Sequence, residues 1–437
     1  MPMRFWLVQT GEELPLDGPK TRLLRTAILA EELCARGHEV IYINASFNHQ
    51  QKRQRNKRTT IIAKNPFEGR NYDSVLLAGT AYRKNVSVGR LVSHMENAAS
   101  FDAIAPSLPR PNAILCGFPP IELAERTAKF AQRNQIPCAM DCRDMWPEVI
   151  EERMPRPLRL LARFILLRMM RQKRVAMSGA TAITGITDQF VDWGLEAAGR
   201  TRQPMDRAFH LAVSPTPLDS EALRQADNDW SAQLGVANRA NRRPIIGCFV
   251  GTLALRTDLL TIVDGANLLN EQQRKALQIV ICGKGDLEAE LAKRCAGNPA
   301  IILAGWQSAP KIAALMARSS FGILPYPNTS DFLASFPNKV GEYLMAGLPI
   351  MSGLAGVTGT LLAQNALALH YQVGSPQSVA DRFGAIIATG ADPAVHQRAA
   401  ALGAAHFNPD HIYPDFADWL EQLAERNSAK STKVLTV

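Results

Sequence analysis

QIVICGKGDLEAELAKRCAGNPAIIL, residues 278–303, contains one complete strand–helix–strand unit. Gln278 to Cys282 is a short apolar run, the pattern of a strand buried on both faces. Gly283-Lys284-Gly285-Asp286 interrupts it, Leu287 to Cys295 reads as a helix, and Ala300 to Leu303 reads as the next strand. The same alternation continues on either side. Ile245 to Val250, Phe321 to Leu324, Pro349 to Ser352 and Leu367 to Gln372 read as strands. Asp258 to Asn270, Pro310 to Arg318, Asn338 to Ala346 and Gln377 to Ala388 read as the helices between them. Strictly alternating elements imply a parallel, doubly wound α/β sheet, which binds ligands beyond the carboxyl ends of its strands.

The N-terminal half repeats the theme less regularly. Arg4 to Gln9, Val40 to Asn44, Ser74 to Ala78, Ala113 to Cys116 and Cys138 to Asp141 are short apolar runs followed by polar turns. Helices are expected at about 20–35, ended by Gly37, and at Glu122 to Asn134. Pro204 to Arg243 is polar and irregular. The expected organisation is a Rossmann-like domain over 1–212, a linker over 213–243, a second Rossmann-like domain over 244–408, and a closing helix and tail over 409–437. Two such domains fit the length of 437 residues.

The chain is 46% hydrophobic and 20% charged, an ordinary globular composition. Disorder is expected only from about Asn427 onward. The formal charge of +9 points to anionic partners without choosing among them. Seven scattered cysteines, none in a C-x-x-C pair, read as reduced, buried thiols of a cytosolic protein. The eight histidines are equally scattered, so no metal site is expected. No stretch is apolar for about 18 residues and no signal peptide is evident, so any membrane contact is expected to be peripheral.

The strongest local signal is Ser335-Phe336-Pro337-Asn338-Lys339-Val340-Gly341-Glu342-Tyr343-Leu344-Met345-Ala346-Gly347-Leu348-Pro349. Ser335 and Pro337 mark a helix start, where free backbone N–H groups and Lys339 favour an anion. Glu342, one turn further in, is placed to accept hydrogen bonds from the vicinal hydroxyls of a ribose. Without a ligand the same glutamate simply suits the helix dipole. The segment resembles the donor-site helix of glycosyltransferase family 4. In that family a glutamate, seven residues and a second glutamate precede a small-residue A-G-x-P ending. Glu342 matches the second glutamate; Ala334 stands where the first is usual. A subset of the family, including enzymes that handle amino sugars, shows a P-x-K-x-x-E-Y run like the one here.

Other segments resemble the same family. Val250-Gly251-Thr252 with Arg256 resembles its strand-end glycine and phosphate-binding basic residue, although Thr257 and Asp258 stand where a lysine usually follows. Gly283-Lys284-Gly285-Asp286 resembles its second glycine turn. Gly305-Trp306-Gln307 resembles the step that meets the nucleotide base; otherwise Trp306 is a half-buried core aromatic. Gly11 to Arg25, with Gly18, takes the place of the glycine-bearing loop and following helix. Arg36-Gly37-His38-Glu39-Val40 matches an R-G-H-x-V helix exit, with His38 in a structural role. Asp141-Cys142-Arg143-Asp144-Met145-Trp146-Pro147 resembles a D-x-R-D-x-W-P run from one branch. Its aspartates either orient an acceptor hydroxyl, with Arg143 on a phosphate, or form an Asp/Arg ion pair that fixes a turn.

The resemblance implies the GT-B architecture, two Rossmann-like domains facing across a cleft, and retaining transfer from a nucleotide sugar without a metal or other cofactor. It implies Gly18, Gly251, Thr252, Gly283, Lys284, Trp306, Gln307, Ser335, Asn338, Lys339 and Glu342 around the donor. Asp141, Arg143 and Asp144 fall on the acceptor side, and Asp144, Arg256 and Lys339 carry the chemistry. The acceptor is expected to be a lipid-linked or polysaccharide glycan of cell-surface assembly. A sugar-nucleotide 2-epimerase shares the fold and donor site and stays open as an alternative. A non-enzymatic basic binding protein is the second alternative, but nucleic acid is not expected, because the charge is not gathered near exposed aromatics. Two basic regions complete the reading. Lys52, Arg53, Arg55, Lys57 and Arg58 form a polar loop, expected to be solvated. Met154 to Thr187 contains no acidic residue. On a helix, Arg159, Arg163, Arg171 and Arg174 would lie opposite Leu158, Leu161, Ile165 and Met169, the layout of an interfacial helix on an anionic membrane. A cytoplasmic protein, peripheral at the inner face of the membrane, is the expectation.

Overall fold

The computed structural model describes residues 2–18, 21–65, 69–84, 87–213, 218–234 and 244–434, with backbone only at 153, 156–161 and 427–434. The chain divides into two compact units: Met1–His210 with Pro409–Val437, and Leu211–Asn408. Among the described residues, no helix is long and apolar enough to cross a membrane.

In the first unit the strands are β1 (Arg4–Val8), β2 (Glu39–Ala45), β3 (Phe47–Asn48), β4 (Arg53–Gln54), β5 (Thr60–Ile62), β6 (Asp73–Leu77), β7 (Ala113–Phe118), β8 (Cys138–Cys142), β9 (Ala182–Gly185) and β10 (Arg207–Ala208). One sheet runs β10-β9-β8-β7-β1-β2-β6-β5, parallel except for the edge strand β5, and β3 and β4 form a separate hairpin. β1, β7 and β8 are buried almost throughout, as parallel strands covered on both faces must be. In the second unit β11 (Ile245–Val250), β12 (Leu277–Cys282), β13 (Ile301–Gly305), β14 (Phe321–Leu324), β15 (Ile350–Ser352) and β16 (Ala368–His370) form a parallel sheet. Its order is β13-β12-β11-β14-β15-β16. Alternate residues of β11 feed opposite cores. Ile246, Cys248 and Val250 join one cluster, and Phe249 joins the other.

Both sheets share one topological feature. The chain builds outward from the first strand on one side, then returns to build on the other. β1 therefore lies between β2 and β7, and β11 between β12 and β14. At such a reversal the connections leave in opposite directions and open a crevice beyond the carboxyl ends of the strands. Each unit thus carries one crevice set by topology alone.

Two stretches differ from expectation. Within 213–243, expected to be an irregular linker, Ser220–Leu234 is a helix. Ala226, Trp230 and Leu234, each four residues apart, enter the core of the second unit, and the Trp230 indole donates to the Lys311 carbonyl at 2.8 Å. Residues 214–217 and 235–243 of that linker lie outside the described residues. The C-terminal helix Pro409–Val434 belongs to the first unit. Phe416 stacks on Phe209 with ring centroids 4.2 Å apart, and the Trp419 indole donates to the Met205 carbonyl. His38 accepts from the Met3 N–H through Nδ1 and lies 3.0 Å from Glu421 through Nε2, which ties the helix exit to this C-terminal element.

One side chain holds the second crevice open. β11 and β14 pair only at Gly247–Phe321 and Cys248–Gly322. Beyond that point the buried Tyr343 hydroxyl spans the gap, accepting from the Val250 N–H at 3.1 Å and donating to the Ile323 carbonyl at 3.3 Å. A Cβ at position 322 would lie 2.5 Å from the Tyr343 ring, so Gly322 is the residue that admits it. Tyr343→Phe should therefore lower stability by about 1–3 kcal/mol, the cost of stranding buried polar groups. An unchanged denaturant midpoint would show that the bridge carries no weight.

Candidate functional site

The second unit places its polar residues where β11 and β14 end. Helix Asn338–Met345 starts there, with Pro337 as its N-cap. Ser335 is not the cap: it terminates the preceding short helix Ser330–Ala334, and its carbonyl accepts from Thr358 Oγ1 at 3.0 Å. Asn338 is the exposed first residue of the longer helix. Lys339 and Glu342, one turn apart and mostly buried, form an ion pair. Tyr343, on the same turn, fixes this helix to both strands, so the strand ends and the pair are held together.

Arg256 comes from the loop after β11. Its guanidinium lies 5.2 Å above the Phe332 ring, and Phe332 stacks on Tyr326 at 4.6 Å with an interplanar angle of 8°. Burial pushes the Tyr326 phenol up; Arg256 opposes the shift and Glu342 adds to it. Tyr326 therefore feels both charges, and Arg256, Tyr326 and Glu342 share one corner of the crevice. Asp258, at the usual place of a lysine, has a structural task. It accepts from Thr261 Oγ1 and, at 3.1 Å, from the Gly374 N–H. Ala334, where a glutamate is usual, is buried.

The glycine turn after β12 lies against the loop after β11. Gly283 has φ +151°, and a Cβ there would fall 1.8 Å from the Gly251 carbonyl oxygen. The Leu253 N–H donates to the Lys284 carbonyl at 3.0 Å. Thr252 and Lys284 are exposed on these two loops. Trp306 is 70% exposed, so it is not a core aromatic; it presents its ring just beyond β13. Gln307 spends its amide on the Ala304 carbonyl at 2.5 Å.

In the first unit the D-x-R-D run resolves into two parts. Asp141 has no exposed surface. Arg25 grips it with Nε at 2.9 Å and Nη2 at 3.0 Å, and Arg143 Nε reaches it at 2.7 Å. Arg143 continues to Glu12 and Thr26, and Glu12 also accepts from Tyr42 at 3.0 Å. Burial raises the Asp141 carboxyl, but Arg25 and Arg143 outweigh it and hold the group below the usual carboxylate range. Asp141 and Arg143 are thus members of a buried ion network that fixes the turn after β8, and both Asp141 oxygens are taken up by guanidinium groups. Asp144 is half-buried and accepts from the Trp146 indole at 2.9 Å. Arg90 lies over the Trp146 ring at 4.9 Å. Gly18 follows the turn Pro15–Asp17, whose Asp17 is bound by Arg55 at 2.8 Å. Arg55, expected to be solvated, is buried in this contact and also donates to the Ala45 and Glu12 carbonyls.

A pocket opens beside this network, at the reversal between β1 and β7. Gln9, Thr10 and Gly11 line it from the end of β1, Pro119 and Pro120 from the end of β7, and His49, Tyr82, Arg90 and His94 from the intervening segments. None of these pocket side chains stood out in the sequence, because they are dispersed over more than a hundred positions without a motif. Among the described residues, no group of three or more His, Cys, Asp and Glu side chains is placed to hold a metal ion. The seven cysteines are free, and all but the half-buried Cys34 are buried.

This arrangement is the GT-B fold: two α/β units, each with a sheet that reverses direction beside its first strand. Its comparisons span nearly the whole chain. A sucrose-phosphate synthase from Thermosynechococcus elongatus is 13% identical, with a TM-score of 0.68 over 96% of this chain and 99% of that one. Alr3699/HepE of Anabaena, solved in complex with UDP, is 14% identical, with a TM-score of 0.61 over 96% and 100%. WaaG, a glycosyltransferase involved in lipopolysaccharide biosynthesis, is 11% identical, with a TM-score of 0.62 over 96% and 99%. Identities this low establish the fold rather than the chemistry. More particularly, residues 244–389 match the family model described as Glycosyl transferases group 1. The match lies within the second unit. No curated protein matches the chain.

Removing the Asp141 charge tests the network. Its depressed pKa means that its stabilisation is complete above the ordinary aspartate range and is lost as pH falls through the folded-state value. Asp141→Asn should therefore cost about 3–5 kcal/mol at neutral pH, by leaving buried guanidinium groups underpaired. The gap to wild type should narrow on acidification. A loss below about 1 kcal/mol would place the pair in the class of weak surface bridges instead.

Proposed function

We propose that this protein transfers a hexosyl or N-acetylhexosaminyl group from a nucleoside-diphosphate sugar, with retention and without a metal or cofactor, to a lipid-linked or polysaccharide acceptor of cell-surface glycan assembly. The observation that carries the proposal is the corner formed by Arg256, Tyr326 and the Lys339–Glu342 pair at the β11/β14 reversal, inside the segment that matches the group 1 model. That corner suits a leaving diphosphate. Arg256 and Lys339 supply positive charge as the bond to the sugar breaks, and Glu342 accepts from the ribose hydroxyls once Lys339 turns to the phosphate. The exposed Trp306 ring and the Gly251–Thr252 and Gly283–Lys284 loops flank the rest of the nucleotide, with Gln307, Ser335 and Asn338 close by. Asp144 orients the acceptor hydroxyl, while the leaving phosphate takes its proton. HepE is seen with UDP and with UDP-glucose, so uridine donors come first in any screen.

The long helix Arg156–Ser178 supports a peripheral membrane location for this otherwise cytoplasmic enzyme. Its layout differs from the helical projection. Met169 is buried, and the side chains of Leu158, Arg159 and Leu161 lie outside the described residues. Phe164 is 84% exposed, and Ile165 and Leu167 are also exposed, on the same side as the exposed Arg163, Arg168, Arg171 and Arg174. Basic and apolar groups thus share the solvent face, so attraction to anionic lipid and apolar contact with the interface would act from one side.

Nucleotide sugars at 100 times their Kd should stabilise the protein by about 2.7 kcal/mol. Glu342→Ala should weaken nucleoside-diphosphate binding by about 1.5–3 kcal/mol, and Arg256→Ala and Lys339→Ala should lower kcat more than they raise KM. Turnover of a sugar nucleotide with no acceptor present, yielding its 2-epimer, would replace transfer with epimerisation. In sedimentation with anionic vesicles, changing Arg163, Arg168, Arg171 and Arg174 to glutamine should release the protein, at about 1 kcal/mol for each charge. Wild type remaining in the supernatant at low salt would remove the membrane from the proposal.

A further inference from the structure

Helix Arg156–Ser178 buries a narrow stripe, and one member of that stripe is a cation. Leu166, Met169, Lys173, Ala176 and Met177 recur at helical spacing, and all are buried. Lys173 is 9% exposed, whereas Arg171 and Arg174 beside it are exposed. Its ammonium therefore takes no part in the basic outer face of the helix. It turns into the first unit, where the helix packs on Ile121–Arg133 and on Asp188–Ala198. There Nζ lies 4.5 Å from the centroid of the Trp193 ring and forms an ion pair with Glu148. Trp193 in turn lies against Phe118 at the end of β7, with centroids 5.7 Å apart.

Stability does not account for a lysine in this stripe. Withdrawing an ammonium from water is costly, and replacing a buried ion pair by apolar side chains of similar volume is often neutral or stabilising. Methionine, which already stands at 169 and 177, has the length and adaptability to fill the same place. What methionine lacks is a charge that directs a carboxylate. The carboxylate in question starts the short helix Glu148–Arg153, whose N-cap Pro147 closes the D-x-R-D-x-W-P run. Between β8 and this helix, residues 143–147 belong to no strand or helix. One end of the stretch is fixed by the Asp141–Arg143 pair. At the other end the Val149 N–H donates to the Met145 carbonyl at 3.0 Å, and Glu148 is held by Lys173. Asp144 and Trp146 lie between these two anchors, joined to each other through the indole N–H at 2.9 Å.

We infer that Lys173 is a positioning residue for the transfer: through Glu148 it sets the far end of residues 143–147, and so the direction in which Asp144 meets the acceptor hydroxyl. The inference rests on the transferase reading and on the place of Asp144 within it. Lys173 acts at a distance from the substrate, since its own contacts are Glu148 and Trp193. An irregular stretch anchored at one end would let Asp144 swing. An orienting group displaced by about 1 Å costs up to about a hundredfold in rate.

The test compares the full-length wild type with Lys173→Met, Lys173→Arg and the double variant Lys173→Met/Glu148→Leu. The double variant removes both charges together, so it carries the test if Lys173→Met alone fails to fold with Glu148 unpaired. The indole N–H resonances of the six tryptophans are recorded by NMR, with Trp146 identified through Trp146→Phe. Lys173→Met and the double variant should move the Trp146 and Trp193 resonances and leave those of Trp6, Trp230, Trp306 and Trp419 in place. Lys173→Arg should return Trp146 towards its wild-type position. Transfer is then measured from the nucleotide sugar that stabilises the protein most, onto a panel of octyl glycosides, beside hydrolysis of the same donor by water. The kcat for transfer should fall by about ten- to a hundredfold, with hydrolysis and donor affinity unchanged and part of the loss regained in Lys173→Arg. A Trp146 resonance that stays in place, or transfer at the wild-type rate, overturns the inference. An equal loss of transfer and hydrolysis also overturns it, by making the pair a matter of stability. A Trp146 shift in a protein that turns over no nucleotide sugar keeps the hold of Lys173 on this stretch and removes the transferase reading.

Discussion

Asp141 is a carboxylate with no access to water, and the first unit is arranged around keeping it charged. An ion in that position needs partners that are themselves held in place, or it would be protonated instead. Arg25 meets this need from the helix Arg25–Ala35 and Arg143 from two residues further along the chain. Each guanidinium then has donors to spare. Arg143 uses its own on Glu12 and Thr26, which fixes the loop after β1. Arg25 uses its own on the carbonyls of Phe209 and His210 and lies over the Phe416 ring at 4.7 Å. One buried charge thereby sets the positions of the β1 loop, the β8 turn, the last residues before the second unit and the helix that returns from it. The pocket at the β1/β7 reversal inherits its floor from this arrangement.

The second unit solves a similar problem with a neutral group. Its crevice exists because β11 and β14 part after two paired positions, and parting strands leave backbone groups without partners. The Tyr343 hydroxyl, acceptor to one strand and donor to the other, fills that place. Because Tyr343 follows Glu342 in sequence, the residue that satisfies the sheet also aims the polar face of the helix at the strand ends.

Much of the second unit was legible because its signals are local. The strands of 244–372 are short, largely apolar runs, and Asn338, Lys339 and Glu342 fall within two turns of one helix. The spacing showed Lys339 and Glu342 one turn apart, but not that they pair with each other. The turn Gly283–Asp286 was visible, but the reason Gly283 must be glycine, a carbonyl oxygen from a different loop, was not. The helix Ser220–Leu234 was missed because its three core residues are diluted by polar neighbours on every other face. In the first unit the D-x-R-D run was visible but ambiguous. Arg25 and Glu12, which decide its role, lie more than a hundred residues away. The same distance hid the pocket: His49, Arg90 and Gln9 meet only after the sheet has formed, and Arg55 looked like one more solvated charge until Asp17 was found against it. Local chemistry can be read in a line, whereas partnerships across a sheet cannot.

The return of Pro409–Val434 to the first unit carries a consequence for biosynthesis. Phe209, Phe416 and Trp419 form one aromatic cluster, but a ribosome makes its members far apart in time. The whole of residues 211–408 must emerge between them. At ordinary elongation rates of about 5–20 residues per second, that is a wait of roughly 10–40 seconds. Throughout it, the nascent first unit displays an apolar face that no part of itself yet made can cover. The protein therefore places its own final segment in the role of a capping subunit, and its folding in the cell is timed by translation rather than by the intrinsic speed of either unit.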